Sequence, residues 1–371
     1  MLVLAGVSMV LTVAPAAQAG SSCTRYQPFF DVVHAANAGW ADTQAAKGRG
    51  ATYYNFSYIL GGTLAMFEGS HDVKYLDRMF HWADAMIDSA RILDGRGKKN
   101  WSGTWSSPWA TAPIAHMLED LQGSVELGRL ARITLSDDRL KSVYGARAQK
   151  AYRFVKDDIV DKWLYTRNAV QWFRNAAHDR SRHYSDKVAF LVRLLVDLYQ
   201  IDGDTAYAAL ASDLLEAFKH RLVPHTDASL IWDVDLPNAL DTSHANRMPY
   251  MIADAYAADI EITSIEIKGL SNLLTSVIWD GSTSSPRFTN YIDGNNGAIF
   301  GRPAWNNGQI YSGWITLGAY DARVQQAATA VLDAIIAGVR NPSLAYMSSV
   351  YGKIALAGYI TRNMRMANTC F

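Results

Sequence analysis

The chain has 371 residues, 49% of them hydrophobic, and its 35 Lys and Arg cancel its 35 Asp and Glu. That length and apolar content can bury a large core as one big domain or two smaller ones. A formal net charge of zero excludes an overall field that would drive the protein onto nucleic acid or anionic lipid.

At the N-terminus an apolar run from Leu2 to Val13 precedes Pro15 and Ala17-Gln18-Ala19, an A-x-A cleavage pattern. Residues 1–19 therefore read as an export signal, since the run is too short to span a bilayer. A basic residue beside Met1, which such signals carry, is missing. The expected mature protein, from residue 20 to 371, is secreted or periplasmic. Cys23 and Cys370 stand just after the cleavage site and one residue from the end. In an oxidising compartment they predict a disulfide joining the termini. Such a bridge requires the termini to meet, as in a closed ring.

Along the chain one phrase recurs: an apolar helix, a short Gly/Asp turn, then an amphipathic helix. The turns are Phe67–Asp72, Leu135–Asp138, Ile201–Asp204, Ala257–Asp259 and Gly318–Asp321. They fall roughly 60 residues apart, room for two helices and two connections. The helices after the turns carry stripes such as Leu210, Leu214, Leu215 and Phe218, while those before them, such as Val188–Tyr199, are apolar nearly all round. A helix apolar on every face is buried on every face. The fold class predicted is all-α: an (α/α) toroid of about six to seven helical hairpins, as a single domain. In it a helix near Phe29–Ala46 closes against a last helix, Tyr346–Asn363.

The connections are unequal. Those leading back into the apolar helices are long, at Asp94–Pro108, Leu164–Ser181, Pro224–Ser243 and Asp280–Trp305, and gather at one end of the ring. Long loops on a rigid scaffold are where binding residues concentrate. They hold Trp101, Trp105, Trp172, Trp232 and Trp305, with Trp109 adjoining, and Arg96, Arg167, Arg174, Arg180, Arg287 and Arg302. Aromatic faces for sugar rings and guanidinium forks for carboxylates suit an acidic polysaccharide.

Two segments carry the candidate chemistry: Asp-Thr-Ser-His-Ala-Asn-Arg at 241–247 and Arg-Phe-Thr-Asn-Tyr-Ile-Asp-Gly-Asn-Asn at 287–296. His244 would lie in a first helical turn, with Asp241 orienting its imidazole. Tyr291 needs positive charge nearby to act as a base, and Arg287 is the expected source. Asn175 would neutralise a substrate carboxylate through its amide. Asn246, Arg247, Trp172, Tyr184, Trp105, Trp305 and Asp241 complete the expected substrate contacts. His178 and His183 lack the spacing of a metal motif, and no G-x-S-x-G, Walker loop or G-x-G-x-x-G occurs. No metal or other cofactor is predicted, and a monomer is expected.

These segments, on a helical-hairpin chain with an export signal, resemble polysaccharide lyases of family 38. The resemblance implies an α/α toroid that cleaves glucuronan or alginate by β-elimination, with His244, Tyr291, Arg287 and Asn175 as active-site residues. An alternative from the residues themselves is a toroidal glycoside hydrolase, for which Asp233, Asp235, Asp241 and Asp293 offer loop carboxylates. A further class is a toroid that binds polysaccharide without cleaving it.

Overall fold

The computed structural model describes residues 22–93, 97–103, 116–165, 169–298 and 308–368. The expected export signal, Cys370, Arg96, Trp105, Trp109, Arg167, Arg302 and Trp305 lie outside the described residues. Helices α1 (Gln27–Ala36) and α2 (Ala38–Ala45) lead into α3 (Gly50–Ser70), which turns back into α4 (Val73–Ser89). A hairpin of β1 (Arg91–Ile92) and β2 (Lys99–Asn100) precedes α5 (Met117–Ser136) and α6 (Asp138–Arg153). A π-helical turn at Phe154–Val160 continues into α7 (Asp161–Leu164), followed by α8 (Ala169–His178), α9 (Asp186–Asp202) and α10 (Thr205–Lys219). A second hairpin, β3 (Val223–Pro224) with β4 (Leu230–Ile231), leads to α11 (Thr242–Ala245), α12 (Arg247–Ala257) and α13 (Ser264–Asn272). The chain ends in α14 (Ser312–Thr316), α15 (Ala322–Ile336) and α16 (Val350–Met366).

Aspartates at the predicted turns start the outer helices. Asp72, Asp137, Asp204 and Asp321 each accept a hydrogen bond from a backbone N–H in the first turn of α4, α6, α10 and α15, satisfying donors that have no partner within the helix. The fourth turn departs from this pattern. Asp259 sits at φ 55°, and Thr263 with Glu266 forms the capping box that begins α13. The helix expected at Phe29–Ala46 is broken at Asn37, whose amide bonds Val33 O. The two short hairpins were not anticipated.

Six inner helices pack each against the next, in the order α3, α5, α9, α12, α14 and α16, and α16 returns to α3. Their outer partners are α4, α6, α10, α13, α15 and, closing the ring, α1 against α16. The protein is an all-α toroid, with six hairpins among the described residues, at the lower of the two predicted counts. The seam between α3 and α16 is tight because Gly62 and Gly358 meet there: a Cβ on Gly358 would fall 1.9 Å from the Gly62 carbonyl oxygen. Cys23, beside this seam, is disulfide-bonded, and the chain's other cysteine is Cys370.

The ring axis is filled by a buried ionic core. Arg193 donates to Glu126 at 3.1 Å and to Asp254 at 2.6 Å, and lies 3.3 Å over the Tyr250 ring. Arg129 pairs with Glu68 and donates to the Tyr250 and Tyr359 hydroxyls at 3.1 and 3.2 Å. Each charge is paired, as burial demands.

Candidate active site at the mouth of the ring

The long connections enter the inner helices at their N-termini, so Gly50, Met117, Asp186, Arg247, Ser312 and Val350 gather at one end. Helix N-termini present unpaired N–H groups and a positive dipole end. The end of the ring that holds the candidate chemistry is therefore a polar mouth above the ionic core.

Asp241 organises this mouth. As N-cap of α11 it accepts from the backbone N–H groups of Ser243 and His244, both at 3.1 Å, and from the Ser243 hydroxyl at 2.5 Å. Its second oxygen lies 2.6 Å from His244 Nδ1. Burial would raise the Asp241 pKa, but the His244 ring, its charge and the Ser243 hydroxyl bring it below the ordinary carboxylate value. The imidazole itself is 43% exposed. A buried carboxylate thus fixes one nitrogen of a ring whose body faces solvent, the geometry of an oriented acid–base group.

The two sequence segments come together. Thr242 N–H donates to Asn290 O at 2.9 Å, Ile292 N–H donates to Leu240 O at 3.1 Å, and Asp241 pairs with Tyr291 across an antiparallel bridge. Tyr291 is half-buried, and its hydroxyl donates to Ala298 O at 2.9 Å. Arg287 is exposed, and its backbone N–H donates to the Asp280 carboxylate at 3.1 Å.

Arg247 links three elements. Its guanidinium donates to His244 O at 3.1 Å and to the Tyr54 hydroxyl on α3, and lies 3.5 Å from Asp186 on α9. Burial opposes its charge, yet Asp186, Tyr58, Tyr54 and Asp241 together hold its pKa above the ordinary value. Burial raises the Tyr54 pKa, with Arg247 acting against it and Asp186 and Asp241 adding to it. Two carboxylates, Asp186 and Asp241, therefore act on one Arg–Tyr pair. Around them stand Tyr58, Tyr311, Tyr346 and Tyr351, with ring centroids 5.5 Å apart for Tyr58–Tyr311, 4.4 Å for Tyr311–Tyr346 and 6.5 Å for Tyr346–Tyr351.

Other expected site residues fall elsewhere. Tyr184 is 1% exposed and donates to Leu214 O, so it is a core residue. Trp101 and Trp232 are likewise buried, Trp101 donating to Met86 O. The loop expected at Leu164–Ser181 is largely helix α8, where exposed Asn175 accepts from Gln171. Trp172 on the same helix is exposed under Lys187. Asn246 is buried and accepts from Gly313 N–H at 2.5 Å, tying α12 to α14. Among the loop carboxylates, Asp233 is locked to Arg221 at 2.6 Å, Asp235 pairs with Arg180 at the surface and Asp293 shapes a turn. Of that set, Asp241 is the one that holds His244. Sequence reading missed Asp186, Tyr54 and Tyr58. Ser185-Asp186, a cap and first-turn acid opening an all-apolar helix, was the available signal for Asp186; the two tyrosines lie in a helix that reads only as core.

No family model matches the chain, and no curated protein matches it. A solved structure that it matches is an inactive variant of an alpha-1,6-mannanase of Salegentibacter sp. HEL1_6 in complex with alpha-1,6-mannotetrose, a glycoside hydrolase of family 76. The identity is 12%, the match covers 85% of this chain and 88% of that chain, and the TM-score is 0.44. A likeness this distant assigns no activity. The expected membership of polysaccharide lyase family 38 is corrected: no family model supports it, and the matched structure is a glycosidase. With it fall the lyase activity, the β-elimination mechanism and the glucuronan and alginate substrates.

Proposed function

We propose that the protein is a carbohydrate-active hydrolase, exported from the cell, that cleaves glycosidic bonds at the mouth of the toroid. The observation that carries this reading is two acid–base side chains at the mouth: His244, whose Nδ1 lies 2.6 Å from the Asp241 carboxylate, and Asp186, 3.5 Å from the Arg247 guanidinium. Glycoside hydrolysis needs two acid–base groups flanking the scissile bond, one to activate water and one to protonate the leaving oxygen. In this reading His244, held by Asp241, takes the proton of the attacking water. Asp186, on the neighbouring inner helix, is the second acid–base group. Arg247 and Tyr54 fix the position of Asp186, and the tyrosines around them supply flat apolar faces with hydroxyl edges, suited to sugar rings.

The test is incubation with a panel of neutral and acidic polysaccharides, scored for new reducing ends. Hydrolysis of at least one, abolished in Asp186→Asn, is the expected result. Absence of new reducing ends across the panel, or products bearing an unsaturated uronate, overturns the reading.

A further inference from the structure

Among the described residues only two tryptophans are exposed, Trp40 at 36% and Trp172 at 42%. Both lie on helices that lead into the mouth, and each is propped by the second residue of an inner helix. Trp40, on α2, packs edge-on against Tyr351 of α16 with ring centroids 5.5 Å apart. Trp172, on α8, carries the Lys187 ammonium of α9 over its ring at 5.6 Å. In the ring order α3, α5, α9, α12, α14, α16, helices α9 and α16 are opposite members. The two exposed indoles therefore stand on opposite sides of the mouth, with Asp186, His244 and Arg247 between them.

On the Trp40 side the aromatic surface is continuous. Tyr351 lies nearly parallel to Tyr346, at 11°, and Tyr346 adjoins Tyr311 and Tyr58 beside the buried arginine. This series runs from the candidate site out to the rim. Exposed aromatic rings held rigid by neighbours bind flat apolar faces at low entropic cost. The other large apolar residues exposed on the described surface are aliphatic side chains, Met366 and Tyr165, and need no explanation.

We infer that the mouth is a through-cleft in which a polysaccharide chain lies from Trp172 to Trp40, stacking on both and cut between them in its interior. The inference rests on the hydrolase reading for the cut, but the two stacking platforms rest on geometry alone. A pocket that accepts only a chain end would need one platform; two on opposite sides accommodate chain on both sides of the scissile bond.

The experiment has two arms. With a polysaccharide the enzyme hydrolyses, solution viscosity should fall well before reducing ends accumulate. Trp40→Ala and Trp172→Ala should each raise KM for polymer by roughly tenfold, the ratio that one well-packed contact sets, while Val143→Ala on the outer helix α6 leaves it unchanged. Stepwise release of small sugars from one end without early loss of viscosity overturns the inference, as do indole variants with wild-type KM. The second arm measures polymer affinity of folded His244→Ala protein with and without each indole. If no glycan is hydrolysed the function proposed above fails, yet loss of polymer affinity on removing each of the two indoles in turn still supports the cleft. Unchanged affinity on removing one or both refutes it.

Discussion

The mouth and the axial core of the ring use the same side chains and differ in their access to water. In the core, Arg193, Arg129, Glu126, Tyr250 and Tyr359 are all nearly inaccessible, and every guanidinium is held by carboxylates and phenols. At the mouth, Arg247, Tyr54, Asp186 and Asp241 repeat the Arg–Tyr–carboxylate theme, and Asp186 is about as open as Glu68 and Asp254 of the core, but the mouth adds a half-exposed imidazole, His244. A buried ion pair contributes little net stability yet costs much to break, because the surviving charge is stranded. A half-exposed one can exchange protons with a ligand. The difference teaches that residue type alone does not mark a site in this fold. Position along the axis does.

The sharpest way to break this comparison is His244→Ala. If the mouth is the reactive region, turnover falls by roughly 10²- to 10⁴-fold, the range for a lost acid–base group, while the melting temperature is nearly unchanged. A variant that melts early but keeps its turnover per folded molecule would move His244 into the structural class. The mirror experiment is Arg193→Ala, which removes the ion pair of Asp254 and one of the two arginines beside Glu126. Glu126 keeps Arg129 at 3.6 Å and the Tyr250 hydroxyl, so the stranded charge is chiefly that of Asp254. The loss should be about 3 kcal/mol of stability, read by denaturant unfolding, with activity per folded molecule retained. Loss of turnover without loss of stability would show that the core takes part in the chemistry.

Much of this contrast was invisible in the sequence, for physical reasons. The toroid was legible because it is written in local patterns: helices apolar all round, amphipathic partners and an aspartate cap at nearly every turn. The Asp241–His244 pair was legible too, since cap and first-turn positions are fixed by spacing. Asp186 was readable only as a helix start, because its meaning comes from Arg247, 61 positions later in the chain. Tyr184, Trp101 and Trp232 misled in the opposite direction. They sit in segments that read as loops, yet the ring folds those segments back over the inner helices and buries the aromatic faces.

A smaller effect is expected where the ring closes. Cys23→Ser should lower stability by about 2–4 kcal/mol, the range for releasing a closed loop, and leave turnover per folded molecule intact, since the α1–α16 seam lies away from His244. Titration of the unreduced protein should find no reactive thiol. Two reactive thiols would mean that noncovalent packing alone holds the seam.

The finest test separates Asp241 from the histidine it orients. Asparagine can still cap α11 through its side-chain oxygen, so Asp241→Asn should fold, and should melt below the wild type at neutral pH only by the stability that the ionised carboxylate contributes. It removes the charge opposite His244 Nδ1, so turnover should fall, but by less than in His244→Ala. The acid limb gives an independent reading. In the folded protein Asp241 titrates below the ordinary carboxylate value: the His244 ring, its charge and the Ser243 hydroxyl outweigh the effect of burial. A carboxyl depressed on folding contributes stability that is fully present above its unfolded pKa, about 3.9, and that is lost as pH falls through the lower folded value. Wild type should therefore lose stability over that acid window more steeply than Asp241→Asn, in which the group no longer titrates. Superimposable acid-unfolding curves for the two proteins would mean that the carboxylate is not held ionised at the mouth, and the division between oriented base and orienting acid would have to be abandoned.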